Sequence, residues 1–214
     1  MRIFKETIGF YLNIAVCISL TIMIPNTLIG KESADIANNN IKVIQRSVST
    51  EILNSFDSII LARESFSLQF MYKAYNAKSN EFYATQIAVL KNFEDIRYLI
   101  AGTKIEDVPY FEPGTGMATV SDGSSSDILI TNTGHHYLFY SSEQDRRLTL
   151  IKKLKGGFLE LEWNIPRLID GNTMSSNNFI PSDISVLYFV IFRNYNLNST
   201  LDEGEIRLLQ VNFK

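Results

Sequence analysis

The chain has 214 residues, a formal net charge of −3, 20% charged and 45% apolar residues, and one cysteine. Without a cationic excess it is not expected to bind nucleic acid, and a lone Cys17 excludes an intramolecular disulfide. The apolar fraction is that of an ordinary folded core.

Residues 8–29 run for twenty-two positions without a charge. As a helix they would span roughly 33 Å, against a bilayer core of about 30 Å. They predict a single transmembrane anchor, which makes the membrane a partner. Arg2 and Lys5 lie before this run, while Lys31 after it is followed by Glu32 and Asp35. Basic residues favour the cytoplasmic side. The expected order is a cytoplasmic tail at 1–7, the anchor at 8–29 and one extracytoplasmic domain after it. A cleaved signal peptide is the alternative; a lipoprotein through Cys17 fits less well, because Val16 is too large for a lipobox. Asn13 inside the run offers a hydrogen bond between packed anchors.

From Ser33 to about Tyr75 the apolar positions Ile41, Ile44, Val48, Ile52, Phe56, Ile59, Phe66 and Phe70 recur at steps of three, four and seven, with Arg63 interrupting. That spacing predicts a long helix continuing from the anchor. After Asn76-Ala77-Lys78, Ser79 and Asn80 supply a cap for a second helix ending at Gly102. Residues 30–102 would form these two helices, and the long helix and anchor would be the route to a homo-oligomer.

Past Gly102, Pro109, Pro113, Gly114, Gly116 and the run Asp122–Ser126 are turn material. Between the turns, β-rich runs are expected at 117–121, 127–131, 136–141, 148–153, 158–164, 184–193 and 206–213. Along 158–164, Phe158, Glu160 and Glu162 alternate with Leu159, Leu161 and Trp163, and residues 208–213 alternate likewise. Val186–Phe192 is apolar without alternation and predicts a central strand covered on both faces. A short helix is expected at 165–170, with Pro166 in its first turn. The fold class is therefore α+β: an anchor helix, two further helices, then an antiparallel sheet of five to seven strands over residues 103–214.

No constellation for catalysis stands out, so neither an enzyme nor a cofactor is expected. His135 and His136 are adjacent and would point to opposite faces of a strand, unlike metal ligands at i, i+2 or i, i+4. There is no G-x-S-x-G elbow, and Gly114-Thr115-Gly116 is not a phosphate loop. Groups that bind without reacting are better candidates. Tyr110, Tyr137, Tyr140, Trp163 and Tyr188 offer rings with a polar handle, and Arg146 and Arg193 could pair with an anionic ligand; Arg147 is a further cation of this kind. Asn198-Ser199-Thr200 matches the three-residue N-glycosylation pattern.

Gly157–Ile165 with Leu168, followed by Val186–Phe192 and the turn Arg193-Asn194-Tyr195-Asn196, resembles the strands of an extracytoplasmic Cache/PAS-like sensor domain. The resemblance implies a non-catalytic domain that binds a small solute beside its sheet and takes part in signal transduction. Such sensors return through the membrane to an output module, and no second apolar run follows here. Both a fragment of a longer receptor and a protein that works without signalling inward stay open. The second branch includes a lysis protein of the holin type with a large outer domain. A pilin-like subunit, suggested by Glu6 and Pro25, is a further alternative, although it lacks the peptidase signal.

Overall fold

The computed structural model describes residues 41–73, 85–111, 117–123, 125–130, 147–166 and 184–214. They are built almost wholly from β-strands: β1 (Ile41–Gln45), β2 (Val48–Ile52), β3 (Phe56–Leu61), β4 (Phe66–Lys73), β5 (Thr85–Leu90), β6 (Met117–Val120), β7 (Ser125–Ile130), β8 (Arg147–Lys153), β9 (Phe158–Ile165), β10 (Val186–Arg193) and β11 (Ile206–Phe213). The only helical pieces among them are single 3-10 segments at Phe93–Tyr98, Ile105–Asp107 and Lys155–Gly157.

The expected α+β layout is therefore corrected. Within the stretch read as one long helix, residues 41–73 are four strands, and within the second, residues 85–98 are β5 followed by a 3-10 turn. The reason is physical. Strand pairs such as Ile41/Val43 and Ile59/Leu61 carry a period of two, but short turns between them reset the phase and leave spacings of three and four. The β1–β2 turn conceals itself further, since Arg46 and Ser47 take φ of 51° and 64° without a glycine to announce it. In β5 every residue is buried, so no alternation shows.

The anchor, residues 8–29, lies outside the described residues, as do most of 165–170 and the expected strand at 136–141. Among the described residues no helix is long and apolar enough to cross a membrane. The single-pass placement with an extracytoplasmic body is therefore not supported by any described helix, and association through a long helix loses that element.

The eleven strands form one sheet in the order β2-β1-β4-β9-β8-β6-β7-β5-β10-β11-β3. It is mixed, not antiparallel: β3 with β11, β5 with β7 and β6 with β8 run parallel. A twisted sheet this wide curls, and here it folds over its own inner face. Phe66 on β4 meets Phe189 on β10 edge to face, with centroids 5.6 Å apart, although five strands separate them in the sheet. Trp163, Leu68, Leu148, Leu187, Ile191 and Val211 fill the same inner core.

The two edge strands, β2 and β3, are consecutive in the chain and joined by only Leu53–Ser55. Asp57 caps that corner by accepting the Leu53 and Asn54 N–H groups at 2.9 Å. The Gln45 side chain on β1 holds the connection between β3 and β4. The Ala62 N–H donates to its Oε1 at 2.8 Å, and its Nε2 donates to the Ala62 carbonyl at 3.1 Å. The Arg46–Glu64 pair beside it is exposed and adds little.

A second core lies on the outer face of β5, β10 and β11. Segment 92–111 covers it with Ile96, Leu99, Ile105, Val108, Tyr110 and Phe111, which pack against Leu90, Val190, Phe192 and Leu208. Phe111 stacks on Phe192, with centroids 5.3 Å apart. Backbone bonds tie the cover down: the Gly102 N–H to the Leu201 carbonyl and the Leu201 N–H to the Thr103 carbonyl, both 2.8 Å. Coverage on both sides explains why β10 does not alternate.

Two outcomes test this fold. A double-mutant cycle of Phe66→Leu and Phe189→Leu, read by urea denaturation, should give a coupling of about 0.5–1.5 kcal/mol; zero coupling would mean that the two halves of the sheet do not face each other. Ser47→Gly should raise stability by about 1 kcal/mol by relieving a left-handed backbone, visible as a higher urea midpoint at unchanged slope.

Candidate functional site

The candidate residues separate onto two faces of the sheet. Trp163 is fully buried in the inner core between Leu68 and Leu148 on the flanking strands. Tyr110 is fully buried in the outer core, where its hydroxyl donates to the Asp95 carbonyl at 3.1 Å. Burial and then the charge of Asp95 raise its pKa, so it stays a neutral donor. Arg193, at the end of β10, is also buried. Tyr137, Tyr140 and Arg146 lie outside the described residues, with His135 and His136. Arg147, at the start of β8, is exposed. One shared pocket of Tyr110, Trp163, Tyr188 and Arg193 does not form.

Tyr188 is the exception. It sits half-buried on the outer face, where the covering segment ends. The strand register sets the outer face out in rows. Ala88, Val190, Leu208 and Phe56 lie under or beside the cover. The next row runs Leu90, Tyr188, Gln210, Ser58, and the last runs Val186, Asn212, Ile60. Past buried Leu90 these two rows are half-buried or exposed, and Ile60 is 66% exposed.

Phe93 props the Tyr188 ring edge to face at 5.4 Å, and burial raises the Tyr188 pKa. Beside it runs a polar ladder. Gln210 Nε2 donates to Asn212 Oδ1 at 3.0 Å, and Asn212 Nδ2 donates to Ser58 Oγ at 2.9 Å and to the Ile59 carbonyl at 3.1 Å. Asn212 is thus fixed to β3 and fixes Gln210 in turn. Alternation along 208–213 puts Gln210 and Asn212 on one face, but their pairing with Ser58 could not be read while β3 passed for helix.

The β10–β11 connection is a second polar cluster. Asn196 and Asn198 side-chain amides donate to Asp202, the latter at 2.8 Å. The Asn194 side chain bridges to Asn198 by accepting its N–H at 3.1 Å and donating to its carbonyl at 2.7 Å. Glu205 is buried and accepts the Tyr195 N–H at 2.9 Å and the Asp202 N–H at 3.0 Å. The Asn198 Oδ1 atom takes the Thr200 N–H and hydroxyl. The loop is thus satisfied from within. Among the described residues no group of three or more His, Cys, Asp or Glu could hold a metal ion.

Burial raises the Glu205 pKa, more than the N–H bonds from Asp202 and Tyr195 lower it. The folded state therefore binds this proton more tightly than the unfolded chain does. Stability gained from it is greatest below the ordinary carboxylate pKa and falls as pH rises through the raised native value. Urea midpoints of the wild type relative to Glu205→Gln should drop as pH rises from about 4 to 7; a constant difference would contradict the assignment. No protein-family model, curated protein or solved structure matches this chain.

Proposed function

We propose that this chain is a non-catalytic binding protein that holds a small solute on the open rows of its outer sheet face. The observation that carries the reading is Tyr188, a half-buried ring braced by Phe93 and set directly beside Gln210 in the strand register. An aromatic face with a fixed amide next to it gives one apolar contact and one directional contact, the usual division of labour in a small-molecule site. Both are carried by strands, which hold them more firmly than loops would.

Size favours a small solute. Three strands at about 4.8 Å spacing and two residues at about 3.4 Å make a patch of roughly 10 by 7 Å. A stable protein interface needs about 800 Å² on each partner, an order of magnitude more. A solute there would touch β10, β11 and β3 together.

Thermal denaturation across a broad panel of metabolites tests the reading. At a hundred times its Kd, a true ligand should stabilise the fold by about 2.7 kcal/mol, and Tyr188→Ala should remove most of that gain. No shift with any solute, or a shift that Tyr188→Ala leaves intact, would defeat the proposal.

A further inference from the structure

Resting on the binding surface above, we infer that the solute is a neutral, polyhydroxylated ring, a saccharide, whose apolar face stacks on Tyr188 while its hydroxyls engage Gln210 and Ser58. Tyr188, Gln210 and Ser58 form one row and Val186, Asn212 and Ile60 the next. None of these six carries a charge at neutral pH. A charged solute would be partly desolvated here with no counter-charge among these six described residues, which is unfavourable. A neutral solute meets no such penalty.

The hydrogen-bonding groups fit hydroxyls specifically. A hydroxyl both donates and accepts, so its partners should offer both. Gln210 spends one Nε2 hydrogen on Asn212, which leaves its other hydrogen and Oε1. Ser58 Oγ accepts from Asn212, which leaves its own hydrogen to donate. The patch thus offers donors at two positions and an acceptor at one, around an aromatic ring. Asn212, with both Nδ2 hydrogens committed to β3, is a positioning residue. Stacking uses the ring carbons of Tyr188, so the ring is required and its hydroxyl is not.

Calorimetric titration of the full chain tests this with neutral oligosaccharides of glucose, N-acetylglucosamine and xylose, set against anionic and cationic metabolites at roughly millimolar concentration. The expected result is binding of at least one neutral sugar, weakened about tenfold or more in both Tyr188→Ala and Gln210→Ala and kept in Tyr188→Phe. Gln210→Ala alters a half-buried polar group, so it reports even if Tyr188→Ala fails to fold. If only charged solutes bind, and Tyr188→Ala or Gln210→Ala weakens them, the saccharide assignment falls and the binding surface stands. Sugar binding at full strength in both variants, or no binding by any probe, overturns both.

Discussion

The structure depends on one constraint: the inner-facing residues of an eleven-stranded sheet must all find cover, and the sheet supplies it by closing on itself. Phe66 against Phe189 marks the closure, and Trp163, buried without any exposure, sits in the same core. Because the sheet folds, its two edges come from consecutive strands, and a three-residue connection suffices between them. Gln45 then ties the β3–β4 connection back to β1 through one side-chain amide. Everything outside the inner core is hung on this shell.

The outer face shows what happens when a sheet surface is only partly covered. Segment 92–111 has too little regular structure to be stable alone; its 3-10 turns are short. It is held by aromatic packing on Phe192 and by backbone bonds to the β10–β11 connection. Where the cover stops, β10 changes from fully buried residues to half-buried Tyr188 and Val186. The candidate site is therefore a boundary, formed where an apolar surface meets solvent on a rigid frame.

That boundary was only partly legible in the sequence. Alternation along 158–164 and 208–213, and the unbroken apolar run of β10, follow directly from side-chain burial and coincide with strands. Residues 41–73 misled because the connections between their strands lack glycine and proline, so spacing summed over several short strands imitated a helical stripe. Tyr188 was visible as an amphipathic aromatic. Its neighbours Gln210 and Ser58 were not, since they come together only through a parallel pairing of strands about 150 residues apart. Trp163 and Tyr110 carried the same chemical promise as Tyr188 and are buried instead. Residue type alone cannot say which face of a sheet a ring occupies.

Two polar clusters sit on this frame, and the difference between them decides which can bind. In the β10–β11 connection, asparagines stand where further carboxylates would have produced repulsion, and their amides donate hydrogen bonds to Asp202. Glu205 is saturated by backbone donors. Such a loop gains stability from bonds it makes to itself, and any ligand would first have to break them. In the Tyr188 patch the internal bonds orient the side chains without exhausting them: Asn212 is committed, while Gln210 and Ser58 keep groups to offer. A binding surface needs fixed groups with unspent hydrogen-bonding capacity. The ladder meets that condition, and the loop, though richer in oxygen, does not.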